Sequence, residues 1–406
     1  MFFLKLAWRN IWRNKRRTLI TTFSIVLAVV LSSFTRSMQL GTYDQMIQNS
    51  AGMYTGYLQV HQKGYWDKPT LDNSFAFSDS LLDTIASVDH VTHVIPRLRS
   101  YALAAGQKKS RAAMIIGFDP QAEQSLSNPK KYLVDGTYIT TDSSRSVLVT
   151  EGLANYLNLA VGDSLVLLGQ GYHGISAADV YPIQGIVKYG IQEMNRAMVF
   201  LPIGKAQHFF GTFGRLTAAA ITLDDAHAVN DVQKEIQSKL DGPYEVMTWR
   251  QLMPELVQAI EADSGSGMII LLVLYIVVGF GIMGTVLMMT AERQYELGVM
   301  VSIGTSRFRL GSMLLLELIL LALLGIILGS IGSLPLVWYF HLNPIHFTGE
   351  AALAMRQYGM DPVLPFSTDP AIIWGQAMII LGLTAVVSIY PMWHAHKLNP
   401  IKAMRD

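Results

Sequence analysis

Thr290-Ala-Glu-Arg-Gln-Tyr-Glu-Leu-Gly-Val-Met-Val-Ser-Ile-Gly-Thr-Ser306 is a charged, glycine-marked stretch wedged between two long apolar runs. Residues 268–289 before it carry no charge, and residues 310–340 after it carry one, Glu317. At about 1.5 Å per residue each run can cross roughly 30 Å of hydrocarbon. The stretch therefore reads as a membrane-surface loop between two spans. Within it Glu292 and Glu296 stand one helical turn apart, while Leu297, Met300 and Val301 make an apolar face. Gly298 permits close approach of another backbone, Gly304 suits a helix C-cap, and Thr305 or Ser306 can cap the next helix. Such a helix is suited to docking in a partner's groove, although spacing alone fits an ordinary inter-span loop equally well.

Outward from this loop the chain stays apolar. It is 51% hydrophobic and 15% charged, against about 25% charged in an ordinary soluble protein. The excess sits in four windows, 18–35, 268–289, 313–340 and 371–393, each long enough to span. Topology follows from Lys and Arg, which collect on cytoplasmic flanks. Residues 1–17 carry Lys5, Arg9, Arg13, Lys15, Arg16 and Arg17 with no acid; Arg293, Arg307 and Arg309 follow the second window, and Lys397, Lys402 and Arg405 follow the fourth. Residues 342–370 carry Arg356 against Glu350, Asp361 and Asp369. Both termini are expected inside, which requires an even number of spans. A cleaved signal peptide is the rival for the N-terminus, but no small-x-small site follows Val30-Leu-Ser-Ser-Phe34.

Residues 1–17 read as an amphipathic helix on the membrane surface, with Leu4, Trp8, Ile11 and Trp12 on one stripe and Lys5, Arg9 and Arg13 on another. Trp8, Arg9, Trp12, Arg13, Arg16 and Arg17 are the expected anchors, toward anionic lipid. The region between the first two spans has ordinary soluble character and is long enough for its own core. Strand-like runs fall at 55–61, 91–98, 112–118, 146–150, 164–168, 183–187, 197–201 and 218–223. Helical patterns fall at 79–87, 152–157, 203–209, 226–240 and 249–261. An α+β domain is expected, and both chain crossings into it read as helices continuing from membrane spans.

Cysteine is absent, so there is no disulfide and no thiol nucleophile. His394 with His396, and His90 with His93, resemble metal pairs in spacing, but neither has a convergent ligand set, and no metal is expected. No G-x-S-x-G or H-E-x-x-H occurs, so hydrolysis has no support and no catalytic residue is assigned. The basic clusters are explained by topology, so nucleic acid is not an expected partner. Gly325 and Gly329 form a G-x-x-x-G, and Gly279, Gly281 and Gly284 give another small-residue face for helix packing. Glu317 lies within the third span, where an ionisable group is costly and is functional or paired. Arg36 is placed to snorkel to the headgroups. Four spans with so little charge cannot line a conduit for a hydrophilic solute, which favours transmission of motion over conduction.

Residues 291–309, followed by Leu314-Leu-Leu-Glu317 and Gly325, closely resemble the E-R-x-x-E-[IL]-G-x-x-x-[AS]-x-G-x-[ST] pattern of FtsX-like ABC transporter permeases. The tail Tyr390 to Arg405 resembles their closing P-x-x-x-A-x-x-x-x-P-[IV]-x-A-[LM]-R. The run Val147-Leu-Val-Thr-Glu-Gly-Leu-Ala-Asn-Tyr-Leu-Asn-Leu-Ala-Val-Gly-Asp163 is similar to their extracytoplasmic domain. The resemblance implies a permease subunit with mechanotransmission, whose two ATPase copies are separate proteins binding ATP and Mg. No G-x-x-x-x-G-K-[ST] stands here, since Gly204-Lys205-Ala206 lacks the motif's other residues. It further implies a coupling helix seated on the ATPase, built from Glu292, Arg293, Glu296, Leu297, Gly298, Met300, Val301 and Gly304. A glutamate is common in the family where Glu317 stands. Length and order lie closer to the lipoprotein-releasing branch than to the fused-ATPase MacB type.

The expected architecture is a polytopic α-helical membrane protein of four transmembrane helices, with a large extracytoplasmic α+β domain inserted between the first and second. In residue numbers it comprises a cytoplasmic amphipathic basic helix (1–17), spans at 18–40, 265–290, 310–340 and 371–393, and a periplasmic domain (41–264). A cytoplasmic coupling helix (291–309), a short periplasmic loop (341–370) and a cytoplasmic tail (394–406) complete it. The expected place is a bacterial inner membrane, with a second permease chain as homo- or heterodimer, membrane lipids, and a periplasmic carrier or adaptor as further partners. Release of a lipoprotein or another lipidated envelope molecule is the first expectation. Export of peptide, toxin or drug is the alternative, and so is a non-transporting regulator of a cell-wall hydrolase. A ligand sensor would carry a cytoplasmic signalling domain, for which the sequence offers no segment.

Overall fold

A computed structural model of the chain describes residues 9, 12, 13, 15–190, 192–357 and 362–397. They form two units: Met1–Asp44, Ala259–His346 and Val363–Asp406 in one, Gln45–Gln258 and Phe347–Pro362 in the other.

The first unit holds the apolar windows. Its helices are α1 (Lys15–Ser50), α2 (Pro254–Glu292), α3 (Gln294–Ser302), α4 (Arg307–Leu342), α5 (Pro370–Val387) and α6 (Ile389–Lys397). Four helical stretches, Thr18–Ser50, Pro254–Glu292, Arg307–Leu342 and Pro370–Trp393, are long and apolar enough to cross a membrane. α1 and α2 run far past their apolar windows because the polar stretches beside them keep a helical pattern. The helix expected over 249–261 is instead broken at Met253 (φ −134°, ψ 64°), since Pro254 cannot donate a backbone hydrogen bond and opens a new helix.

Packing in this unit draws Ile25 and Val29 of α1, Ile282 and Val286 of α2, Leu314 and Leu318 of α4 and Ile380 of α5 into one apolar core. The glycines decide how close the helices come. A β-carbon on Gly325 would lie 2.7 Å from that of Ile25, and one on Gly329 would lie 2.7 Å from that of Val29. This G-x-x-x-G therefore seats α4 directly on α1. Gly279 stands at ordinary contact distance from Leu383 of α5. Gly281 and Gly284 differ: a β-carbon on either would meet nothing within 4 Å among the described residues, so the helix turns that pair away from its own bundle.

The second unit is built on one sheet. Its strands are β1 (Leu58–Gln62), β2 (Val91–Ala105), β3 (Ser110–Phe118), β4 (Leu133–Gly136), β5 (Val147–Thr150), β6 (Ser164–Gln170), β7 (Ser176–Val187), β8 (Met198–Pro202), β9 (Ala218–Leu223) and β10 (Tyr244–Thr248). The order is β10-β1-β9-β2-β3-β8-β5-β7-β4, and β6 pairs with both β2 and β7. The path from β2 through β3, β8, β5, β7 and β6 therefore closes on itself, which leaves no free edge in that ring. Pairing is parallel between β3 and β8 and between β5 and β7, and antiparallel elsewhere. Leu98, Ala104, Ile115, Val149, Leu167 and Val199 point into the ring, joined by Leu153 and Phe210 from the helices Glu151–Leu157 and Ile203–Phe210.

This is an α+β domain inserted between the first two spans, as the sequence leads one to expect. The strands run longer than their signals: β2 continues through Tyr101-Ala-Leu-Ala-Ala105, whose alanines are poor strand formers, because β3 and β6 flank it. The helix expected over 226–240 opens instead as a 3₁₀ turn, Ala226–Ala228, before Val229–Lys239. Residues 341–370, expected as a plain loop, contain the helix Glu350–Gln357, and Phe347–Pro362 group with the second unit. One buried ion pair was not expected: Arg97 Nε donates to Glu123 at 3.0 Å, and Ser127 Oγ donates to the same carboxylate.

Candidate functional site

The polar stretch between α2 and α4 folds as a short helix, broken from α2 at its start and capped at its end. α2 stops at Glu292, and Arg293 takes a non-helical conformation (φ −103°, ψ 7°) before α3 begins. At the far end Gly304 adopts φ +94°, a region open to glycine. Its N–H donates to Val301 O at 3.1 Å while Thr305 N–H donates to Met300 O at 3.0 Å, the two bonds of a Schellman cap. Ser306 Oγ then accepts from Arg309 N–H and starts α4. Gly304 and Ser306 stand where the spacing puts helix caps.

The two faces of α3 are sharply different. Leu297 is 1% exposed and belongs to the core of the membrane unit, with Met300 and Val301 packed against that core. Gly298 is buried as well. The apolar stripe that spacing offers for a partner's groove is thus filled by this chain's own helices. Burying Leu297 in water-free packing removes its apolar surface from solvent, worth about 1.5–3 kcal/mol for a side chain of this size. What faces outward is Glu292, Tyr295, Glu296, Ile303 and Gly304. The outward surface is acidic and aromatic, not purely apolar.

Arg293 does not join that surface. Its side chain is 5% exposed, and Nη1 donates to Glu317 Oε2 at 2.7 Å, with Glu317 at 0%. A lone charge in this core would be very costly; pairing offsets the two charges against each other. The pair ties the α2–α3 corner to the first turns of α4. Sequence inspection singled out both residues without joining them, although an intramembrane carboxylate calls for a cation. Arg293 Nη2 is buried with no hydrogen-bond partner.

A second ion pair reaches α3 from the N-terminal segment. Arg13 Nη2 lies 2.7 Å from both oxygens of Glu296. Among the expected anchors, Arg9, Trp12, Arg13 and Arg16 are exposed, while Trp8 and the Arg17 side chain lie outside the described residues. The histidines singled out for spacing go different ways. His90 Nδ1 sits 3.0 Å from Asp224, and His93 lies beside Thr222; the side chains of His394 and His396 lie outside the described residues.

Comparison with known proteins gives two family matches that together cover most of the chain. Residues 18–239 match the MacB-like periplasmic core domain, and residues 268–400 match the FtsX-like permease C-terminal region. Among individual proteins, the chain is 23% identical over 393 residues to the lipoprotein-releasing system transmembrane protein LolC of Xylella fastidiosa, covering 95% of this chain and 90% of that one. It is 21% identical over 430 residues to the macrolide export ATP-binding/permease protein MacB of Campylobacter jejuni, covering 98% of this chain and 60% of that protein. With the lipoprotein-releasing system transmembrane protein LolE of Haemophilus influenzae it shares 21% identity over 323 residues, 77% of this chain and 76% of the other.

Proposed function

Because the chain belongs to the FtsX-like, MacB-type family of ABC transporter permeases, we propose that it transmits ATPase motion to its exported domain and thereby releases a lipoprotein or another lipidated envelope molecule from a bacterial inner membrane. The observation that carries this reading is the two-faced α3 helix. The outward surface, Glu292 at the end of α2 with Tyr295 and Glu296 of α3, is offered to a separate ATPase, of which a pair of permease chains would take two copies. The inward face of α3 is locked to α4 through Leu297 and the Arg293–Glu317 pair. A load applied to α3 passes into the bundle without slack, since a packed core does not deform continuously.

Motion then leaves the bundle through α1 and α2, the two helices that lead into the exported domain. ATP closes the partner subunits, α3 moves with them, and the domain is driven from the other side. No step needs a polar pore through this chain: the carboxylate of α4 is already committed to Arg293. A cargo that starts in the membrane and ends outside it suits such a machine. In this reading both termini and α3 are cytoplasmic, ATP and Mg stay on the partner, and the open α2 face with Gly281 and Gly284 takes a second permease chain.

The likeness to the MacB protein over 98% of this chain supports a second cargo class, a peptide, toxin or drug passed to an adaptor. Reconstitution decides between them. The chain is placed in proteoliposomes with its ATPase and a labelled triacylated lipoprotein, and the label reaching the aqueous phase is counted. ATP-dependent release that is lost in Glu292→Lys/Glu296→Lys supports the proposal. Absence of release, with ATP-driven loss of an unacylated peptide or drug instead, overturns it in favour of efflux.

A further inference from the structure

Where the apolar windows of α1 and α2 end, both helices continue, and there a polar clasp joins them. Tyr43 Oη of α1 donates to Asp263 Oδ2 of α2 at 2.7 Å. One turn earlier on α1, Gln39 Nε2 donates to Asp263 O at 3.2 Å and lies 3.4 Å from Oδ2. One further turn back, Arg36 Nη1 donates to Gln39 Oε1 at 2.7 Å. Gln39 and Tyr43 are buried, while Asp263 is exposed on its other side.

This line of donors has one direction. A guanidinium carries donors alone and a carboxylate acceptors alone, so Arg36 and Asp263 together fix which end of the Gln39 amide faces which. Turning the amide over would set donor against donor and acceptor against acceptor. A glycine makes room for it. A β-carbon on Gly267 would lie 2.1 Å from Gln39 Nε2, so a methyl there would push the amide off Asp263. One on Gly265 would meet nothing within 4 Å among the described residues. Gly267 therefore serves the clasp, at a position where a helix interior otherwise favours alanine. Deeper in the bundle Ile25 and Val29 of α1 share an apolar core with Ile282 and Val286 of α2. Lipid tails are as apolar as those side chains, so such packing sets no axial register by itself. The clasp does, since a slide of one helical turn, about 5.4 Å, breaks every bond in it.

We propose that this clasp holds α1 and α2 in one axial register through every nucleotide state of the complex, with Asp263 as the positioning residue, so that the two helices carry displacement as a single strut. The use of the strut rests on the transmission proposed above; the fixed register does not.

The test uses the full chain with its ATPase in nanodiscs. Because the chain has no cysteine, Leu31→Cys on α1 and Val273→Cys on α2, both exposed positions, take one spin label each. The distance distribution between the labels is measured without nucleotide and with ATP and vanadate. With the clasp intact, one narrow peak is expected, the same in both states. Asp263→Ala should raise a second, shifted component roughly three- to tenfold, the loss of one or two hydrogen bonds between membrane helices. Asp263→Asn keeps an acceptor for Tyr43 and should retain the single peak. A distribution unchanged in Asp263→Ala overturns the proposal. So does a peak that moves by about 1.5 Å or more, one residue's rise, between nucleotide states while the clasp is intact. Tyr43→Phe removes one oxygen without adding bulk, so it carries the test where Asp263→Ala fails to fold. Cargo release per ATP hydrolysed is read on the same variants. Register lost with release unchanged supports the clasp and counts against transmission through α1 and α2.

Discussion

Arg13 and Glu296, 283 positions apart in the chain, meet in a clamp in which one guanidinium nitrogen lies 2.7 Å from both carboxylate oxygens. The pair joins the N-terminal segment to α3. Both side chains are about half exposed, so the pair contributes less than about 1 kcal/mol to stability. Its consequence is geometric: α3 is tethered on the face that the proposed ATPase would approach. Arg13→Glu and Glu296→Arg should each lower ATP-driven turnover of the reconstituted complex several-fold with little change in melting temperature. The double exchange should restore most of it. A double variant as poor as the worse single would mean that Glu296 acts on the partner directly and that Arg13 is incidental.

The Arg293–Glu317 pair behaves oppositely because it is buried. Arg293→Met or Glu317→Leu alone strands a charge in the core and should cost about 3–5 kcal/mol, seen as a large fall in thermal unfolding temperature. The double variant, with both charges gone and similar volumes retained, should recover most of that stability. If α3 is driven through this corner, the recovered double variant will still hydrolyse ATP while releasing less cargo. Full release by the double variant would reduce the pair to a structural role.

Gly325 and Gly281 separate internal from external packing. A methyl on Gly325 collides with Ile25, so Gly325→Ala should destabilise the bundle by about 1–3 kcal/mol through overpacking. Gly281→Ala meets open space and should leave the melting temperature of the single chain unchanged. The chain contains no cysteine, so a lone Gly284→Cys provides a clean probe of the open α2 face. Oxidation should give a covalent pair of permease chains on denaturing gels. A species that stays at single-chain mass under conditions where the complex is intact would place the second permease elsewhere.

The spans and their order were legible because each apolar window exceeds the length a soluble helix needs, and lipid leaves no other solution. Gly304 and Ser306 were legible as caps, since turn chemistry is local. The closed strand ring was not, because closure depends on β6 pairing with β2 and β7 across long separations, and pairing partners leave no mark in a single strand's pattern. The destination of the apolar stripe of α3 was not legible for a related reason. An acidic stripe beside an apolar stripe looks the same whether the apolar side meets a foreign groove or the chain's own Leu310 and Leu314.

His61 gives the exported domain a built-in acid sensitivity. Its ring is buried beside Tyr65, with Nδ1 2.7 Å from Thr217 O and Nε2 lacking a partner. Burial pushes its pKa from 6.5 down to about 4, with the bond to Thr217 opposing and Arg99 reinforcing the shift. The folded domain therefore keeps His61 neutral where the unfolded chain already takes up a proton. Stability from this residue is complete above pH 6.5 and is lost as pH falls toward 4. Between pH 7.5 and 5 the loss should be about 2 kcal/mol, read as faster hydrogen exchange in β1 and β9, the strands on which His61 and its neighbours sit. His61→Gln, which keeps a donor for Thr217 but does not titrate, should flatten that dependence. An equally steep slope in the variant would assign the acid sensitivity to other groups and leave His61 a packing residue.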